Sequence, residues 1–195
     1  RRGPGERGRL APAPGPAGEH LAGLHDHQGK AYGLVFDGER LPQWLDWFAP
    51  RLRSNYQDAR AHLSPPACRN IERLLDELTA WLPERGRPTL VHGDIWHNNI
   101  IVDDRDPDRP RITGYIDGGG LFAEVEYELA YLLAFGGLVG DRFFRAYSRR
   151  HPLQDGFLRR CRVYWLNTML LHLWLFGRDY LPRCEQLARE IEELP

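Results

Sequence analysis

The stretch that decides the fold lies near the middle of the chain and reads His92-Gly93-Asp94-Ile95-Trp96-His97-Asn98-Asn99. A carboxylate can orient a hydroxyl group and accept its proton, and an amide oxygen can bind a hard cation such as Mg²⁺. Phosphoryl transfer requires both kinds of group. The spacing of Asp94 and Asn99 therefore predicts a loop in which Asp94 acts as the base and Asn99 binds a metal.

A second carboxylate follows at the end of a predicted β-hairpin. Residues 99–102 and 111–116 have the composition of short strands, and the polar residues between them predict a turn. The second strand ends at Asp117, which precedes three consecutive glycines. Glycines permit a sharp turn and a close approach of the backbone to phosphate groups. We therefore expect Asp117 to bind the same metal as Asn99.

Helical periodicity covers most of the remaining sequence. The predicted helices are residues 19–27, 41–60, 64–81, 124–134, 141–150, 157–176 and 181–194. The most apolar run, residues 163–176, would be about 21 Å long as a helix, short of the roughly 30 Å hydrocarbon core of a bilayer. We expect it to be a buried core helix, in an α+β fold that is mainly α with one small hairpin.

Composition limits the possible function classes. The length of 195 residues suits one domain, and a formal net charge of -1 gives no reason to expect a nucleic acid or membrane partner. The three cysteines are widely spaced and match no metal-binding pattern, which favours reduced thiols in a cytoplasmic protein. Residues 1–18 are rich in Arg, Gly, Pro and Ala and predict a linker or disordered segment.

The loop follows the catalytic pattern of protein kinases, in which His-x-Asp is followed by Asn and by a later Asp. With Gly93 after the histidine, it resembles the aminoglycoside phosphotransferase and choline kinase branch of that superfamily. Within the branch, the chain is most similar to fructosamine (ketosamine) kinases, whose loop reads His-Gly-Asp-Leu-Trp-Ser-Gly-Asn. Trp96 matches that loop, residues 126–130 and 135–137 match later family motifs, and the resemblance covers residues 89–177.

The resemblance implies an ATP-dependent kinase that uses Mg²⁺ and phosphorylates a hydroxyl group of a ketosamine, of a related small molecule or of a glycated amine. We expect His92 and Glu128 to brace the catalytic loop. Glu126 is open between a substrate contact and a solvated helix face. Trp96 is open between lining the acceptor pocket and packing the loop.

The family also implies an amino-terminal lobe with a glycine-rich turn and a lysine that holds the nucleotide phosphates. Lys30 is the only lysine in the chain, and its glycine-rich context does not fit that role. We therefore assign no nucleotide-anchoring lysine and expect residues 19–195 to form the carboxy-terminal lobe of a kinase-like fold, without the lobe that binds ATP. Such a chain is expected to be inactive alone and to expose an apolar face that favours self-association.

Two other functions remain open. One is a kinase of the same superfamily that acts on aminoglycosides or other small molecules, and the other is a non-catalytic remnant or binding module. Thr168 and Leu171 stand where the fructosamine kinases tend to have His and Asn. These differences lie near the expected acceptor site and bear on the substrate more than on the phosphoryl chemistry.

Overall fold

The computed structural model describes residues 14–35, 41–82, 87–108, 110–135 and 140–192. The α-helices in these ranges are α1 (Pro14–Leu24), α2 (Trp44–Ala59), α3 (Pro65–Asp76), α4 (Leu78–Trp81), α5 (Val125–Phe135), α6 (Asp141–Ser148), α7 (Phe157–Phe176) and α8 (Leu181–Glu192). The strands are β1 (Gly33–Leu34), β2 (Thr89–Val91), β3 (Ile100–Asp103), β4 (Arg111–Tyr115) and β5 (Leu121–Ala123). The predicted class, α+β and mainly α, is confirmed.

The longest helix, α7, lies at the centre of the core. Its bounds are those predicted from the sequence, and α2, α5 and α8 pack against it. Cys161, Leu166 and Leu170 on this helix are fully buried. In the described ranges, no helix has the length and apolar character needed to cross a membrane. The prediction of a buried core helix is confirmed for most of the helix, whereas Trp174, Leu175 and Phe176 at its end are exposed.

An aromatic cluster joins α2 to α5 and α7. Trp44 stacks on Trp47 with ring centroids 5.0 Å apart, and both side chains are buried. Tyr127 of α5 packs edge-on against Trp44, and Trp44 Nε1 donates to the Tyr164 hydroxyl at 3.2 Å. Large aromatic side chains contribute much of the apolar area in a core. The cluster fixes α5, which carries residues of the candidate site, against the central helix.

Two predicted boundaries are wrong. Residues 14–18, assigned to the linker, belong to α1, which packs against α6; residues 1–13 lie outside the described ranges. The helix predicted over residues 64–81 begins as expected, with Ser64 Oγ accepting from the Ala67 N–H at 3.4 Å. It then ends at Asp76, and a separate turn of helix begins at Leu78. The backbone of Glu77 leaves the helical region at this point (φ −105°, ψ 16°).

The strands form two small antiparallel units. In the three-stranded sheet the order is β1-β5-β2, whereas β3 and β4 form a separate hairpin. The hairpin agrees with the predicted strands, but β1 and β5 were not predicted. Strands of two or three residues carry too little alternation to be recognised from sequence alone.

Candidate active site

Two strand pairs bring the predicted catalytic loop next to the glycine-rich turn. At one end, Val91 pairs with Leu121, which connects the residue before the loop to the residue after the turn. At the other end, Ile100 pairs with Tyr115, and the Ile116 N–H donates to Asn99 O at 3.0 Å. The loop over residues 92–99 and the turn over residues 116–120 therefore leave the sheet and the hairpin side by side.

The Asp94 carboxylate is held by two donors. The Tyr131 hydroxyl donates to Oδ1 at 2.6 Å, and Asn99 Nδ2 donates to Oδ2 at 3.2 Å and to the Asp94 carbonyl oxygen at 2.9 Å. Burial, together with the hydrogen bond to Asp94, holds the pKa of Tyr131 well above its ordinary value, so its hydroxyl remains a donor. The carboxylate is thus oriented without a bound ligand.

The backbone of the loop is fixed by a buried hydrogen-bond chain. The Gly93 N–H donates to Glu128 Oε2 at 2.7 Å, and His25 Nε2 lies 2.8 Å from Glu128 Oε1. His25 Nδ1 lies 2.7 Å from the Tyr147 hydroxyl. A carboxylate only accepts, so the proton on Nε2 faces Glu128. Gly93 has a φ of 89°, in the left-handed region that glycine adopts without strain. Glu128 lies where a residue bracing this loop must lie.

His92 connects the loop to the turn. Its Nε2 lies 2.9 Å from the carbonyl oxygen of Ile116, and its Nδ1 faces the Asp94 N–H at 3.3 Å. The two contacts are satisfied together when the proton is on Nε2, because a carbonyl oxygen only accepts and an N–H only donates. A Cβ atom at Gly118 would lie 2.8 Å from Cδ2 of His92, so a residue without a side chain lets the turn pass this close.

Asn99 and Asp117 supply oxygen atoms that suit a hard cation. Asn99 uses Nδ2 for its side-chain hydrogen bonds, and Oδ1 forms none with the described residues. Asp117 is exposed, follows Ile116 directly and has a left-handed φ of 58°. Mg²⁺ is usually held by one or two such side chains together with phosphate oxygens. The parts of the chain that the structure describes contain no group of three or more His, Cys, Asp or Glu side chains that could hold a metal.

The remaining predicted residues lie in different places. Trp96 lines the cleft beside Asp94, with its ring 4.9 Å from that of His97. Glu126 is neither in this cleft nor solvated: Arg160 binds it through two donors at 2.5 and 2.6 Å, and both side chains are largely buried. Lys30 is exposed in the segment between α1 and β1 and does not lie on a strand.

A cleft of about 570 Å³ opens beside Asp94 between α5 and α7. Tyr127, Tyr131 and Phe135 line its α5 side, and the second half of α7 lines the opposite side. The sequence analysis missed Tyr131 and His25. Tyr131 stands three positions after Glu128, so it lies on the same face of α5, and that spacing could have identified it. His25 gave no such signal, because its contact is tertiary.

The sequence model of the fructosamine kinase family matches residues 15–193 and so includes both the loop and the turn. This chain belongs to the fructosamine kinase family. A probable ketoamine kinase from Synechocystis sp. is 29% identical over 187 residues, covering 89% of this chain and 60% of the relative. The mouse ketosamine-3-kinase is 34% identical over 106 residues, covering 54% of this chain and 32% of the relative.

Solved structures of the family have the same fold. A presumptive fructosamine-3-kinase from Thermobifida fusca superposes with a TM-score of 0.74 and 28% identity, covering 94% of this chain and 67% of that one. A second, from Haemophilus somnus, superposes with a TM-score of 0.73 at 19% identity and supports the fold alone.

This member of the fructosamine kinase family spans only part of its relatives. The matched region covers 60% of the curated relatives from Synechocystis and Escherichia coli, but only 35% of the Lactiplantibacillus plantarum ketoamine kinase. The rest of each relative has no aligned counterpart in these 195 residues.

Proposed function

We propose that the intact natural protein transfers the terminal phosphoryl group of ATP to a hydroxyl group of a ketosamine, with Asp94 as the general base. The observation that carries the proposal is the Asp94 carboxylate, which lines the cleft while Tyr131 and Asn99 fix its orientation. The family assignment and the name of the mouse relative, a ketosamine-3-kinase, support the acceptor class.

In the proposed step, an acceptor hydroxyl in the cleft gives its proton to Asp94 while its oxygen forms the new bond to the terminal phosphorus of ATP. The bond between that phosphorus and the bridging oxygen breaks, and ADP leaves with the electron pair. Positioning provides most of the rate enhancement in this chemistry. The hydrogen bonds from Tyr131 and Asn99 keep the carboxylate in place for the proton transfer.

We propose that Asn99 and Asp117 hold Mg²⁺ together with the nucleotide phosphates. The ion would neutralise charge on the phosphate oxygens, which is the usual role of magnesium in this reaction. The free Oδ1 of Asn99 and the exposed carboxylate of Asp117 support this assignment. The hydrogen bond between Ile116 and Asn99 brings the two residues to the same end of the hairpin.

We further propose that Lys30 does not anchor the nucleotide phosphates and that the 195-residue chain by itself does not turn over ATP. The exposed position of Lys30, outside the strands, supports the first statement. A Lys30→Met variant of the intact protein should keep the wild-type KM for ATP. A rate in the usual kinase range of about 1–100 s⁻¹ from the isolated chain would overturn the second statement.

The test of the proposed function compares two acceptors in the intact protein, with ATP and Mg²⁺ present. We expect ribulosyl-lysine to be converted to a phosphate ester with release of one ADP for each ester, as measured by mass spectrometry and a coupled ADP assay. A preference for an aminoglycoside would assign the protein to the other kinase class. Absence of phosphate transfer to both acceptors would favour a non-catalytic module.

A further inference from the structure

The cleft beside Asp94 has one wall formed by a stripe along the second half of α7. Five residues in the second half of α7 recur at helical spacing and face the cavity together: Thr168, Leu171, His172, Leu175 and Phe176, called here the α7 stripe; the largely buried Asn167 also lines this wall. The exposed fractions of its three apolar members, in chain order, are 36%, 56% and 65%. Contiguous exposed apolar surface of this kind, inside a cleft, is typical of a ligand-binding groove.

The polar members of the α7 stripe, Thr168 and His172, each use one polar atom within the helix. Thr168 Oγ1 donates to the Tyr164 carbonyl oxygen at 3.0 Å. His172 Nδ1 lies 2.8 Å from the Thr168 carbonyl oxygen and must donate to it, because a carbonyl only accepts. The His172 ring packs against Phe135 and Phe176, with centroids 5.0 and 5.2 Å away. Apart from His172 Nε2, which forms no hydrogen bond with the described residues, and the neighbouring Asn167 and Tyr180, the wall offers a ligand mainly apolar surface.

Charged side chains are nearly absent from the cleft. Among the cleft-lining residues in the described ranges, Asp94 is the single Asp, Glu, Lys or Arg. A carboxylate carried by the acceptor would find no Lys or Arg on the α7 stripe and would lose hydration there. An alkyl or aryl group would instead be removed from water against Leu171, Leu175 and Phe176.

We infer that the best acceptors carry an uncharged alkyl or aryl group on the amine nitrogen, which packs on the α7 stripe while the sugar part lies toward Asp94, and that ribulosyl-lysine, whose amine-derived part carries an ammonium and a carboxylate, is a weaker acceptor. This inference rests on the proposed kinase function and adds the substrate class to it. The cleft volume of about 570 Å³ is within the usual range of about 300–1,000 Å³ for small-molecule sites.

The test uses two fructosamines with the same sugar and the same chain length, made from hexylamine and from 6-aminohexanoate. They differ only in a terminal methyl group or carboxylate. The kcat/KM of each is measured for the intact wild-type protein, for Leu175→Asn and for the matched control Leu158→Asn. Leu158 lies on the same helix with 59% of its surface exposed but does not line the cleft.

We expect the wild-type kcat/KM to be at least about tenfold higher for the hexylamine derivative, the lower end of discrimination by an apolar pocket. The ratio should fall toward one in Leu175→Asn and stay unchanged in Leu158→Asn, with thermal unfolding showing that both variants fold. Leu171→Asn provides a second variant of the wall. Equal rates on both acceptors, or a ratio that Leu175→Asn and Leu171→Asn leave unchanged, would overturn the inference. Absence of transfer to either acceptor and to ribulosyl-lysine would instead overturn the proposed function.

Discussion

Asp94 and Asp117 lie on the two sides of the candidate active site, and their surroundings differ. Asp94 belongs to a loop that is fixed by hydrogen bonds from Tyr131 and Asn99 and by the buried Glu128 beneath it. Asp117 is exposed, has a left-handed backbone and forms no hydrogen bond with the other described residues. The carboxylate of Asp94, which is proposed to accept the proton, is thus held in place by other residues of the protein. The carboxylate of Asp117, which is proposed to bind the metal, is not held by the other described residues.

The largest expected effect is on stability and concerns Glu128, which is buried beneath the Asp94 loop. Glu128→Ala leaves two donors, the Gly93 N–H and His25 Nε2–H, without their acceptor. Since each unpaired buried donor costs about 1–3 kcal/mol, the free energy of unfolding should fall by about 2–6 kcal/mol, as measured by urea denaturation.

Glu19→Ala is the matched control for Glu128→Ala. Glu19 on α1 pairs with Arg149, the residue after α6, but both side chains are more than 60% exposed. Exposed pairs contribute about 0–1 kcal/mol. Equal losses of stability in the two variants would contradict the conclusion that the hydrogen bonds of Glu128 hold the Asp94 loop in place.

The second effect concerns catalysis on the same side. Asp94→Asn keeps the shape of the side chain but cannot accept a proton from the acceptor hydroxyl. In the intact protein we expect kcat to fall at least about 100-fold, the lower end of the contribution from a general base. Steady-state kinetics with ribulosyl-lysine would measure this loss. A kcat within a factor of two of the wild type would exclude Asp94 as the base.

The sequence predicted some parts of the candidate site better than others. Asp94, Asn99 and Asp117 were identified from sequence because phosphoryl chemistry requires a carboxylate and hard oxygen ligands at limited spacings. The structure brings their segments together through two strand pairs, one of which contains a strand that the sequence did not reveal. The residues proposed for the chemistry were therefore more predictable than the contacts that hold them in place.

Glu126 and Glu128 show why these contacts were less predictable. Two residues apart on a helix, they point about 160° apart, to nearly opposite sides. The family resemblance indicated that Glu128 braces the loop, which agrees with its hydrogen bond to Gly93, but nothing in the sequence indicated that Glu126 meets Arg160. Those contacts depend on how α1, α5 and α7 pack, which local periodicity does not encode.

The third effect is on the Mg²⁺ requirement and concerns the exposed residue Asp117. Asp117→Asn keeps a residue that tolerates the left-handed backbone, so the stability of the protein should not change. The Mg²⁺ concentration for half-maximal activity should rise at least about tenfold, the lower end of the effect of removing a group that supports a metal site. Titration of activity with Mg²⁺ would measure it. An unchanged Mg²⁺ requirement would remove Asp117 from the metal site.

The smallest expected effect is the contribution of Tyr127 to the pH dependence of stability. Burial raises the pKa of Tyr127 to about 12, above the value near 10 of an exposed tyrosine. Its hydroxyl therefore ionises more easily in the unfolded chain, so the stabilisation is complete below pH 10 and declines as the pH rises from about 10 to 12. One such group changes the free energy of unfolding by at most about 1.4 kcal/mol per pH unit. Between pH 9 and pH 11 the Tm of Tyr127→Phe, which keeps the ring of the aromatic cluster, should fall about 2–4 °C less than that of the wild type. Parallel Tm curves for the two proteins would show that Tyr127 ionises as easily in the folded protein as in the unfolded chain.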